Sequence, residues 1–349
     1  MKCTIQNIAD HLGLSRNTVS KALKNSSEVS ENTRNLVIKT ASKLGYKNAT
    51  FATPVIPASE TGSNGTILFL TRTYASDSEF WTTVLRGIES ILSNANYHLA
   101  ISIMSDSDLK QLNFPQTISD SSIKGIILVE ICDKVVCDAL SQFNLPIVSV
   151  DMPNVPFEEL NGIDVVTMES KKNLKKIINQ LIEKGAESFG FVGDLYSPNV
   201  SRGFQERYNA LSECLAEHQL PLNHKNCLLH QTPEDFRNFQ TTVNNLQAMI
   251  SLPDVFICGN DWTAIQLIYA LQFLGFQIPK DICVVGFDNI PAASRISPSL
   301  TTISTPQKYL GIAAARQILE RIQHPNCPHV FCQYETELII RNSTNITSF

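Results

Sequence analysis

What this chain lacks narrows its function first. No stretch approaches the roughly 18 consecutive apolar residues of a membrane span, and the first residues lead into an amphipathic pattern rather than the apolar core of a secretory leader. A soluble, cytoplasmic protein is expected. There is no GxxxxGK[ST], no GxGxxG after a strand, no GxSxG and no HExxH, so the common nucleotide-binding and hydrolytic signatures are missing and no enzyme is expected. The nine cysteines form no CxxC pair, and Cys132/Cys137 and Cys327/Cys332 lie five apart without clustered histidines. Cys258 and Cys283 fall inside apolar runs. Such cysteines read as small buried hydrophobes in a reducing compartment, with neither metal site nor cofactor. No solenoid repeat and no low-complexity tract is present.

What is there begins with the first 50 residues. Ile5, Ile8, Ala9 and Leu12 recur at i, i+3, i+4 and i+7, which stacks them on one face of a short helix that Gly13 stops. Ser15 is a suitable N-cap for a second helix over residues 16–23, with Val19, Ala22 and Leu23 inward and Arg16, Asn17, Ser20 and Lys21 outward. A third helix, capped by Ser30, runs through Val37, Ala41 and Leu44 to Gly45. Two short helices joined by a tight turn with glycine are the pattern of a helix-turn-helix, whose second helix enters the major groove. Arginine can read guanine there and asparagine adenine, so Arg16 and Asn17 stand where base contacts are made. Any small three-helix bundle leaves polar residues outside, so charge has to decide. Residues 1–50 carry eight Lys and Arg against three acids, net +5, in a chain whose net charge is −5, which leaves the remaining residues at −10. A basic head on an acidic body suits polyanion contact confined to the head.

Thr4-Ile5-x-x-Ile8-Ala9, Leu14-Ser15-x-x-Thr18-Val19-Ser20-x-Ala22-Leu23, Val29-Ser30-x-x-Thr33-Arg34-x-x-Val37 and Leu44-Gly45-Tyr46 together resemble the headpiece of the lactose-repressor (LacI/GalR) family of bacterial transcription regulators. The resemblance implies that Arg16, Asn17 and Lys21 read bases while Thr18 and Ser20 hold phosphates of double-stranded operator DNA. It also implies a hinge helix with a leucine wedged into the minor groove. That place falls here at Val55, directly after Pro54, in a stretch of small, polar and helix-breaking residues. Proline inside a helix costs about 3 kcal/mol, so a weaker wedge and less operator bending are expected.

From Thr66 onward strand-like and helix-like stretches alternate, which argues for parallel sheets with crossover helices. The elements exceed one comfortable sheet, and two α/β lobes follow. The resemblance implies the periplasmic-binding-protein type I arrangement. The expected organisation is therefore an α/β chain with a helix-turn-helix headpiece (1–50), a hinge linker (51–64) and a two-lobed domain (65–349) of parallel sheets with flanking helices. Lobe 1 is placed at 65–162 and 291–322, and lobe 2 at 163–290 and 323–349, with chain crossings near 162, 290 and 323. Asn342 to Phe349 holds no leucine heptad, so a homodimer is expected rather than the tetramer of some relatives.

Ligands of open α/β sheets sit beyond the carboxyl ends of strands. Asp151 and the pair Asn260-Asp261 follow such strands, and Asp261 also occupies the place of a helix N-cap. Arg207 lies in a run resembling the family's Arg-x-x-Gly-aromatic motif, although Ala210 and Leu211 depart from its last two positions, and its other reading is a solvated helix charge. Phe80-Trp81 resembles an aromatic pair that stacks on an effector, although aromatics at a helix start also serve as core. These six residues form the expected effector site for a sugar or sugar derivative. Val284 to Asn289 and Leu300 to Ile303 match further family signatures. The expected function is an effector-responsive repressor of a carbohydrate operon. The rivals are a corepressor-dependent regulator, tightening on DNA when liganded, and a free-standing binding protein, which would have a leader and no head.

Overall fold

The computed structural model describes residues 4–23, 29, 30, 33, 36, 37, 40, 41, 63–72, 78–195, 201–230 and 238–349. Contacts divide the chain into two units, 1–62 and 63–349. The hinge residue Val55 and most of the linker lie outside the described residues.

In the first unit, α1 (Ile5–Leu12) starts at Thr4, whose side chain accepts from the Asn7 amide while Asn7 answers to the Thr4 amide, and ends at Gly13 with φ +64°. That left-handed turn is why glycine is needed there. α2 (Arg16–Leu23) begins behind Ser15, whose Oγ accepts from the Thr18 amide at 3.0 Å. Ile8, Ala9, Val19, Ala22, Val29, Val37 and Ala41 make its core. Residues 33, 36, 37, 40 and 41 of the third segment are helical, behind a Ser30 cap on Thr33.

The second unit contains two six-stranded sheets. Sheet 1 holds β1 (Thr66–Thr71), β2 (His98–Ile103), β3 (Ile123–Val129), β4 (Ile147–Val150), β5 (Ile163–Met168) and β11 (Phe331–Tyr334) in the order β11-β5-β4-β3-β1-β2, all parallel. Sheet 2 holds β6 (Phe189–Asp194), β7 (Leu228–His230), β8 (Val255–Cys258), β9 (Cys283–Asp288), β10 (Thr301–Ser304) and β12 (Glu337–Ile339) in the order β12-β10-β9-β8-β6-β7, with β12 antiparallel. Strands covered on both faces must be apolar throughout rather than alternating. β5, as Ile-Asp-Val-Val-Thr-Met, is buried at every position.

This pairing corrects the expected lobe boundaries. β5 pairs with β4, and Asp164 fixes it inside lobe 1, so the chain crosses after Met168 and not at 162. β10 pairs with β9, which moves the second crossing from 290 to 305–306. β11 and β12, only two residues apart in the chain, belong to different sheets, and the third crossing is 335–336 rather than 323. Short connections hide such switches, because two strand-like runs on either side of a lobe boundary read as one.

Helices α3 (Glu79–Leu92), α4 (Asp106–Gln111), α5 (Lys134–Ser141), α6 (Lys172–Glu183), α7 (Arg202–Glu217), α8 (Phe239–Ala248), α9 (Asp261–Phe273) and α10 (Gln307–Gln323) cover the sheets. In α6, Leu174, Ile177, Ile178 and Leu181 face inward at helical spacing. α3 and α10 pack side by side in lobe 1, with Val84, Ile88, Leu310 and Ala314 all fully buried. A Cβ on Gly87 would strike the Lys308 carbonyl, and one on Gly311 the Val84 carbonyl. Both obstacles are backbone, so the helices must separate if either glycine gains a methyl group. Gly311→Ala is expected to lose about 1–3 kcal/mol in urea denaturation; an unchanged midpoint would mean that the two helices part freely.

Candidate functional site

The head presents one polar face. On α2, Arg16 and Asn17 are exposed, while Thr18, Ser20 and Lys21 are half-buried. The Thr18 hydroxyl lies 2.8 Å from Ser15 Oγ, so it helps to cap α2 as well as facing outward. Buried Val19 and Ala22 fix the rotation of the helix and thereby its outer face.

The second site lies in the body, where the two sheets turn the carboxyl ends of their strands to a common cleft. Its rim is joined across the lobes: Pro153 and Ser201 form an isolated bridge, and the Arg202 amide donates to Met152 O at 2.9 Å. At the floor, Arg207 of α7 is 3% exposed, which rules out a solvated helix charge. Its Nη1 donates to Gly259 O at 2.6 Å, and its guanidinium lies 3.6 Å over the Phe287 ring. Nε is buried without a partner. Such a donor, in a cleft, is what a ligand oxygen satisfies.

Acids surround this cation. Asp151 directly follows β4 in lobe 1 and Asp288 ends β9 in lobe 2. Burial pulls the Arg207 guanidinium below its ordinary range, opposed by Asp288 and then Asp151. Burial likewise pushes both carboxyls up, well above the usual range for Asp288, with Arg207 pulling each back. Asp151 Oδ1 accepts from the Met152 amide at 2.8 Å. Glu130 directly follows β3 and accepts from Trp81 Nε1 at 2.5 Å. Glu130, Asp151 and Asp288 have φ of +58°, +71° and +119°, a region that side chains other than glycine's occupy at a cost of about 1–3 kcal/mol each and that clusters at functional sites. Ser170, 1% exposed, has a hydroxyl without a partner. Around Gly203 its Oγ, Asp151 Oδ2 and Arg207 Nη2 all lie within 3.6 Å of where a Cβ would sit, so this glycine keeps a polar corner open.

Not every expected residue joins the floor. Asp261 is fully buried and is not the N-cap, and both its oxygens are engaged within lobe 2: Oδ1 accepts from Thr302 Oγ1 at 2.5 Å and Oδ2 from the Ile290 amide at 2.9 Å. The cap is Asn260, whose Oδ1 accepts from the Thr263 amide at 2.9 Å, leaving its NH2 group as the remaining polar end. Phe80 is 7% exposed within the lobe 1 core and meets Trp81 edge-on at 4.6 Å, so Trp81 alone of that pair points to the polar rim. Sequence reasoning missed Asp288, Ser170 and Glu130. The signal for two of them was the rule that found Asp151, an acid immediately after an apolar strand.

A helix-turn-helix followed in the chain by a two-lobed α/β domain with a polar interlobe cleft defines the class of DNA-binding transcription regulators. The model of bacterial regulatory proteins of the lacI family matches residues 4–48, and that of the periplasmic binding protein-like domain matches 178–344. The chain thus carries a lacI-type helix-turn-helix domain followed by a periplasmic binding protein-like domain. It is 26% identical over 345 residues to the HTH-type transcriptional repressor PurR of Photobacterium profundum, covering 97% of this chain and 98% of that protein. It is 27% identical over 344 residues to the ribose operon repressor of Haemophilus influenzae, with the same coverage. Among solved structures, the transcriptional regulator CelR-cellobiose complex superposes with a TM-score of 0.69 at 19% identity, over 98% of this chain and 100% of that one. No helix among the described residues is long and apolar enough to cross a membrane.

Proposed function

We propose that this protein is a homodimeric repressor that holds a palindromic operator through α2 and changes its grip when an uncharged polyhydroxylated effector, a sugar, binds between the lobes. The observation that carries the reading is Arg207, buried in the cleft between carboxylates from both lobes. Arg207 faces carboxyl groups from both lobes, so a sugar phosphate or a sugar acid would set its anionic oxygens against those carboxyls, whereas hydroxyls can accept from the guanidinium and donate to the carboxyl oxygens. A ribose operon repressor and a cellobiose-bound regulator among its relatives agree with that class. The homodimer is supported by an apolar stripe on α9, where Trp262, Tyr269 and Phe273 are 40%, 43% and 69% exposed. Exposed apolar residues grouped on one face mark an interaction surface. Closing the lobes would reset the spacing of two heads by population shift, which either loosens or tightens DNA binding. Arg16, Asn17 and Lys21 are assigned to bases, Thr18 and Ser20 to phosphates, and Val55 to the minor groove.

Asn17→Ala should cost about 1–3 kcal/mol on the preferred operator and little on random DNA. Equal losses on both would remove Asn17 from base reading. On the effector side, thermal-shift screening should raise the melting temperature with uncharged sugars and not with sugar phosphates; a preference for phosphates would reverse the charge argument.

A further inference from the structure

The backbone at the end of β9 is held in a form that its residues do not choose unaided. Asp288 has φ +119° and Asn289 +56°. Three donors converge on the Asp288 carbonyl: Gln307 Nε2 at 2.7 Å, Thr305 Oγ1 at 3.2 Å and the Thr305 amide at 3.4 Å. Beyond it, the Asn289 amide donates to Thr302 Oγ1 at 3.3 Å, Asn289 Oδ1 accepts from Arg341 Nη2 at 2.6 Å, and the Ile290 amide donates to Asp261. The first set differs from the rest in where it comes from. Asp288 belongs to sheet 2, whereas Thr305 is in the interlobe crossing and Gln307 is the first residue of α10, packed in lobe 1. The Gln307 side chain makes no cap for α10, and the residue is only 9% exposed. Immobilising a glutamine side chain forfeits rotamer freedom, and what it gains is a bond across the lobe boundary.

We propose that Gln307, with Thr305, is the positioning residue that aims the Asp288 carboxylate at Arg207 and ties that aim to the angle between the lobes. The inference rests on Asp288 and Arg207 forming the effector floor. When the lobes turn about 305–306, Nε2 travels with α10 while the Asp288 carbonyl stays with β9. The bond lengthens, the strained peptide relaxes toward ordinary φ, and the carboxylate leaves Arg207. Effector affinity and lobe angle are thereby linked through one peptide, as reciprocity between sites requires.

Hydrogen exchange by mass spectrometry on the full chain tests this with Gln307→Met and Thr305→Val, each close in size to the wild type but lacking the donor, and with Thr305→Ser, which keeps the hydroxyl. The expected result is exchange at the Asn289 and Ile290 amides faster by about tenfold or more in the first two variants, unchanged rates in β8 and the start of β9, and wild-type rates throughout in Thr305→Ser. Unchanged exchange at Asn289 and Ile290 overturns the proposal. Acceleration spread evenly over sheet 2 also overturns it, by reducing both residues to general packing. No sugar is present in this measurement, so its outcome is separate from whether the cleft binds one.

Discussion

Arg321→Met should be among the most damaging single changes in the body, removing about 3–5 kcal/mol of stability. Asp164 is wholly buried on β5, and its carboxylate accepts from Arg321 Nη2 at 2.8 Å and Nε at 3.1 Å, from Gln317 Nε2 at 3.0 Å and from the Val330 amide at 2.8 Å. His329 Nδ1 stands 3.2 Å away. Burial alone would raise this carboxyl, but the bonds from Arg321, Gln317 and Val330 outweigh it and hold it below the usual range. Arg321 also binds the carbonyls of Pro325, Cys327 and Pro328, so one guanidinium closes the turn that leads into β11. Methionine fills the volume and strands the buried charge. Combining it with Asp164→Asn should restore part of the loss, because the two changes share one interaction. Denaturation midpoints of the two single variants and the double decide the matter, and strictly additive losses would show that the pair is not coupled.

The second large effect is expected at Asp261. Asp261→Ala leaves the Thr302 hydroxyl and the Ile290 amide unpaired inside lobe 2, at about 1–3 kcal/mol for each buried group. Its pH dependence has a definite sign. Burial pushes the carboxyl up to about 6, while Thr302 and the Ile290 amide pull it down; in the unfolded chain an aspartate titrates near ~4. A folded value above the unfolded one means that the stability it contributes is full below about pH 4 and is lost as pH rises through about 6. Asp261→Asn, which carries no charge, should therefore gain on the wild type between about pH 4 and 6, and unfolding free energies across that window measure the gain. Parallel curves for the two proteins would mean that Asp261 does not titrate there.

The head was legible from spacing alone because each structural cue is local: Thr4, Gly13 and Ser15 act on residues three or four positions away. The alternation of strands and helices gave the body its class for the same reason. The lobe assignment was not legible, since the switch between Tyr334 and Glu337 is decided by pairing partners more than 30 residues distant. The cleft divides likewise. Asp151 and Arg207 follow from position on a strand end and from motif, and the structure brings them together around Gly203. Asp261 shares the same strand-end signal, yet Thr302 and Ile290 turn it inward, a fact that only the packing of β10 against β9 could supply. Asp288 carried the signal too, and its left-handed backbone shows in coordinates but not in letters.

The most direct measurement is the affinity of the full chain for its selected operator, by fluorescence anisotropy, titrated with the uncharged sugar that most raises its melting temperature, for the wild type and for Arg207→Met. The account predicts a wild-type operator affinity that changes severalfold or more with the sugar, in either direction, and an Arg207→Met protein that binds the operator normally but no longer responds. A wild-type affinity indifferent to a sugar that demonstrably occupies the cleft would contradict it.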